Sequence, residues 1–116
     1  MIVIILAEQR PRLINIDYDE SHCSIFLSNV EYTTQGNAIY EESWSYSYLV
    51  FSDRTDTTSP VRKFVNFHNL NGSTVPLRGT IILVKKRHIG LYDCQQSDCQ
   101  QIQMMPKTWG ETCFVM

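Results

Sequence analysis

The chain is short of alanine and lysine. Of 116 residues only two are Ala (Ala7 and Ala38) and four are Lys. Both residue types favour helices, so their scarcity argues against a mostly helical protein. No apolar run approaches the roughly 18–20 residues of a membrane-crossing helix, which reads against a membrane protein. The apolar run over residues 1–7 has no cation ahead of it and is followed by Glu8, so it makes a poor signal peptide. The expectation is a cytoplasmic or nuclear chain whose four cysteines, Cys23, Cys94, Cys99 and Cys113, are free thiols. Asn71-Gly72-Ser73 fits a glycosylation sequon, which matters only in a secreted chain. Signatures of common chemistries are missing too. There is no Gly-rich phosphate loop, no HExxH and no GxSxG, so the pattern points away from an enzyme and implies no cofactor.

What is plentiful is β-branched: 11 Ile, 8 Val and 9 Thr. Such side chains suit a pleated, half-buried surface. The length is that of one domain, 1–116, and no linker interrupts it. Residues 80–87, TIILVKKR, form the candidate central strand: four consecutive large apolar residues bounded by Gly79 and by three cations. Residues 1–7 read as a buried strand. Residues 13–19 alternate, with Leu13, Asn15, Asp17 and Asp19 on one side and Ile14, Ile16 and Tyr18 on the other. Residues 24–32 read as another strand and 33–37 as a hairpin connection. Residues 38–52 form one long strand, or two with a bend near Glu42-Ser43. The polar stretch 53–60 is a loop. Asn71-Gly72 between 61–70 and 73–77 signals a hairpin, because both positions accept positive φ. Pro76 sends its part of that hairpin to an edge or a bulge. Gly79 is placed at the bend into 80–87. Residues 89–92 and 113–116 read as short strands, and 97–105 as a helix ended by Pro106. The fold class is therefore all-β, a β-sandwich or partly open β-barrel with one short C-terminal helix; a small α+β fold is the alternative.

The net charge of -2 is bland, but its distribution is not. Residues 13–53 hold seven acids and no Lys or Arg, whereas residues 54–88 hold seven cations and one acid, Asp56. Such asymmetry marks an interaction surface, or else neighbouring strands whose charges neutralise each other. The candidate contact residues are Arg62, Lys63, Lys85, Lys86 and Arg87, with the acidic group Asp17, Asp19 and Glu20. They lead to a non-catalytic protein-binding module. Its partner is either a foreign protein, as for an inhibitor, immunity or viral or phage accessory protein, or further copies of itself in an oligomer. Two alternatives stand beside this. Trp44, Tyr46 and Tyr48 alternate with Ser45 and Ser47; with Lys85, Lys86 and Arg87 they suit a β-barrel that binds single-stranded nucleic acid. A cysteine- or metal-dependent enzyme is the second: Cys94-x4-Cys99 has the spacing of half a zinc site, which His22-Cys23 would complete, though the directions of adjacent residues diverge. Asp17 and Asp19, two apart on a strand, could hold a divalent cation, or belong to a solvated face.

Overall fold

The computed structural model describes residues 1–7, 10–62, 67–68, 77–104 and 112–113. In chain order the elements are β1 (Ile2–Leu6), β2 (Arg12–Asn15), β3 (Ser24–Leu27), β4 (Val30–Thr33), β5 (Ala38–Ile39) and β6 (Tyr46–Ser52). There follow β7 (Val61–Arg62), β8 (Phe67–His68), β9 (Leu77–Arg78), β10 (Ile81–Arg87), β11 (Gly90–Tyr92), α1 (Gln96–Gln103) and β12 (Thr112–Cys113). The path β2-β1-β10-β6-β4-β3 makes a half-open, six-stranded, barrel-like sheet, antiparallel throughout. β11 extends β10, β5 pairs with β6 and β8, and β12-β7-β9 form a second, small sheet. The fold is mostly β with one short C-terminal helix, as the composition implies. Among the described residues no helix is long and apolar enough to cross a membrane.

β10 is central because it has no polar face along its first half. Ile81, Ile82, Leu83 and Val84 are all fully buried. Period two divides them between two cores. Ile81 and Leu83 join Ile4, Leu6, Val50 and Tyr48 on one face, where Cys99 and Ile102 of α1 pack over the sheet. Ile82 and Val84 join Val3, Ile5, Ile25 and Phe51 on the other, where the sheet curls over itself. The register Ile4↔Leu83, Ile5↔Ile82 and Leu6↔Ile81 keeps each set on its own side. Slipping β1 by one residue would exchange the two sets.

Two segments differ from the sequence expectation, and a third takes one of its two expected forms. Residues 24–32 are not one strand but the β3–β4 hairpin. Ser28 and Asn29 both have positive φ (52° and 65°), and Leu27 faces Val30 across them. Asn favours that left-handed turn, and the pair breaks an otherwise apolar run. Residues 38–52 take the two-strand form, with the chain reversing between β5 and β6 so that Ile39 faces Tyr48. The alternating stretch 13–19 is regular strand only as far as Asn15, although the next residue, Ile16, still donates its N–H to the Met1 carbonyl at 2.8 Å. The Asn71-Gly72 hairpin lies outside the described residues, although β7 and β9, on either side of it, do pair antiparallel.

Gly79 turns the chain from β9 into β10 with φ +68°. A Cβ there would run into the Asp56 carboxylate, which is held in a turn by N–H donors from Thr58 and Ser59 at 3.1 and 2.9 Å. Gly79→Ala therefore combines a left-handed backbone with a contact that the Asp56 carboxylate must shift to relieve. It is expected to cost about 2 kcal/mol, read as a lowered midpoint in thermal or urea denaturation. An unchanged midpoint would mean that the Asp56 turn yields freely.

Candidate functional site

β6 and β10 run together through seven register pairs and end in polar residues. There Lys85 faces Tyr48, Lys86 faces Ser47 and Arg87 faces Tyr46. Cross-strand partners share a sheet face. Lys85 is thus committed to the same side as Tyr48, which is the side α1 covers. It is not the exposed cation that its neighbours suggest: its side chain is 12% exposed, and Nζ donates to Asp98 Oδ1 at 2.8 Å.

Asp98 is the third residue of α1. One helical turn before Ile102, it lies on the buried face of the helix. A carboxylate there needs partners, and it has three. Oδ1 accepts from Lys85 and from the Tyr48 hydroxyl at 2.6 Å, and Oδ2 accepts from the Gln95 backbone N–H at 2.7 Å. The last bond is the back-reaching half of a capping box. The Gln101 amide donates to the Tyr48 oxygen at 2.9 Å, and the Tyr46 hydroxyl donates to the Gln101 carbonyl at 2.8 Å. Burial acts to raise the Asp98 carboxyl, but hydrogen bonds from Lys85, Tyr48 and Gln95 outweigh it and hold it below the usual carboxylate range. Burial, then Asp98, push the Tyr48 phenol up. The same two influences take the Cys94 thiol up to about 12 and raise Cys99. Both thiols are buried and free, and protonated thiols are poor nucleophiles and poor metal ligands. Among the described residues, no three His, Cys, Asp or Glu side chains converge as a metal site would require. This cluster is sealed and fully bonded, and it presents no open position to a substrate.

Next to it lies an open groove. The β5–β6 loop supplies Tyr40, Glu41 and Trp44, β6 supplies Tyr46, the end of β10 supplies Lys86 and Arg87, and the turn after it supplies His88; the space is about 480 Å³. Trp44 and Tyr46 are stacked, with planes 10° apart and centroids 5.3 Å apart. Tyr48 meets both rings edge-on at 5.8 and 5.7 Å. The Lys85 ammonium lies 4.5 Å from the Tyr46 centroid. Tyr46 is therefore fixed by a stack, a cation and a hydrogen bond, and the sealed cluster forms the footing of the groove.

The aromatic triplet is thus split. Trp44 and Tyr46 line the groove, whereas Tyr48 is fully buried and cannot stack on a ligand. The contact residues are split as well. Lys86 and Arg87 are in the groove, with Arg87 4.8 Å from the Tyr92 ring. Arg62 stands at the opposite end of β10, where it donates to the Gly79 carbonyl at 2.6 Å and the Ala7 carbonyl at 3.2 Å. A seven-residue strand separates the two ends by roughly 20 Å. Lys63 lies outside the described residues. Glu20 reaches Lys86 at 3.2 Å, so one acid of the first half does neutralise one cation of the second. Asp17 is exposed. Asp19 closes a turn, accepting from the Ser21 hydroxyl and from the Ser21 N–H at 2.9 Å and lying 3.0 Å from His22 Nδ1. Those Ser21 hydrogen bonds lower the Asp19 carboxyl.

Removing one member of the buried pair leaves the other charge unpaired. Asp98→Ala is expected to destabilise by roughly 3–5 kcal/mol, and Asp98→Leu with Lys85→Met by much less; equal losses in urea unfolding would show that the pair carries no coupling. Asp98 is lowered on folding, so its contribution is complete above the unfolded carboxyl value of about 4 and disappears as pH falls through the lower folded value. Acid unfolding of the wild type is expected below about pH 4, with a shallower pH dependence in the double variant. Comparison with known proteins adds no relative to this geometry: no family model, no curated protein and no solved structure matches the chain.

Proposed function

We propose that the chain is a non-catalytic binding module that takes its partner in the groove between the β5–β6 loop and the end of β10. The observation that supports this reading is one of co-location. A pre-stacked ring pair and the cations Lys86 and Arg87 share a single open groove. Rigid aromatic surface beside a cation is the composition that contributes most at binding sites. Tyr46 is held by three separate interactions, so little side-chain freedom is lost on binding. The buried thiols and the buried carboxylate do not reach the groove. Cys94, Cys99, Tyr48 and Asp98 are closed into the cluster beneath, and the exposed Asp19–His22 pair belongs to a local turn.

Arrays of oligonucleotides and of acidic and basic peptides test the reading directly. At least one class is expected to bind with an affinity that falls tenfold or more in both Arg87→Glu and Lys86→Glu, while the melting temperature stays put. Binding that survives both charge reversals would place the interaction on another surface and overturn the proposal.

A further inference from the structure

We infer that the groove takes a short single-stranded stretch of nucleic acid, with bases against Trp44 and phosphates against Lys86 and Arg87. This rests on the binding reading above and names its ligand. Three features of the groove converge on it.

The first is the ring pair. Stacked rings 10° from parallel present a flat surface, and every base has a face that can continue such a stack. Tyr46 cannot tilt away, since Lys85 and Gln101 hold it from below. Trp44 is the member of the pair carried on the β5–β6 loop. A duplex buries its base faces within its own stack, so only an unpaired strand can use this surface.

The second is the placement of charge. Arg87 stands directly across from Tyr46 on the neighbouring strand, and paired strands lie about 4.8 Å apart. Tyr46 and Arg87 therefore run side by side on one sheet face, while Lys86, which pairs with Ser47, lines the same groove from the next position; a ring beside a cation matches the way a single strand offers bases beside phosphates. The Lys86–Glu20 pair is half-exposed at 3.2 Å, and exposed pairs of this kind exchange readily for a stronger anion. The Arg87 guanidinium carbon lies 4.8 Å from the Tyr92 ring centroid, and a guanidinium resting on a ring keeps N–H donors for a phosphate.

The third is the polar trim. Ser45 and Ser47 are among the residues that line the groove, and hydroxyls commonly bond phosphate and sugar oxygens. Glu41 belongs to the loop wall rather than to the cationic wall. An acidic peptide would satisfy Lys86 and Arg87 but would leave the stacked surface without a flat partner.

The test uses the full chain with Trp109→Phe, so that Trp44 is the one indole. A labelled oligothymidylate of about ten nucleotides, a hairpin duplex and a polyglutamate peptide are titrated in turn, following probe anisotropy and Trp44 fluorescence. The oligothymidylate is expected to bind and to quench Trp44. Two phosphate contacts imply a log–log salt slope near −1.4. Lys86→Ala with Arg87→Ala is expected to flatten that slope, and Trp44→Leu to weaken binding about five- to a hundred-fold. Because Trp44 packs partly on the core, the cation variant serves as the readout that leaves the core untouched. If polyglutamate or the duplex binds as tightly as the oligothymidylate, recognition is of charge alone; the single-strand assignment is then wrong, although the groove remains a binding site. If none of the three probes binds, and the arrays find no ligand sensitive to Arg87→Glu, both readings are lost.

Discussion

A lysine pointed into the protein sets the terms for this end of the molecule. Lys85 follows four fully buried apolar residues on the central strand, and pairing with Tyr48 turns it under α1. An ammonium in that position is tolerable only with a carboxylate beside it. Asp98 supplies one, and it is fixed in turn by the first turn of the helix. The helix, the central strand and the aromatic strand are thereby tied through one oxygen atom. A wholly apolar contact would have been at least as stable, because burying two charges recovers little net energy. What the polar contact adds is direction: α1 fits in the one rotation that brings Asp98 over Lys85, and Tyr46 sits at the one height where Gln101 can reach it.

β10 therefore has two functions along its length. Its first half is a shared wall between two apolar cores, and its second half passes from the mostly covered Lys85 through the half-exposed Lys86 to the exposed Arg87. Gly79 sets where the strand begins, and the β11 hairpin extends its basic end. The candidate groove lies where apolar packing gives way to charge. That is a natural place for binding, since the groups on show are anchored by a core that does not have to move.

Much of this was legible in the residues. The apolar run of β10, the bend at Gly79, the helix ahead of Pro106 and the partly open β architecture all follow from local pattern. Trp44 and Tyr46 are grouped with Lys86 and Arg87 only in one alternative reading of the sequence, which also includes Tyr48 and Lys85. What could not be read is which side each residue takes. Tyr48 looks like Tyr46 in sequence, and Lys85 like Lys86; only the order of strands in the sheet, and the face that α1 covers, separates them. Ser28-Asn29 was a readable turn hidden by the apolar residues around it. Asp98 was recoverable once the helix was placed, because a charge one turn from Ile102 and next to Cys99 must share their buried face. Its partner was not recoverable, since Lys85 is near it only through the fold.

The sealed thiols have a consequence for the molecule's chemistry over time. Cys94 and Cys99 are packed under α1 as neutral groups, while Cys23 is exposed. A thiol in that condition reacts only when the helix lifts, so its modification is governed by how often the structure opens and not by the strength of the reagent. The chain carries, in effect, a pair of internal clocks for the opening of one helix and an ungated thiol on the same chain to set their zero.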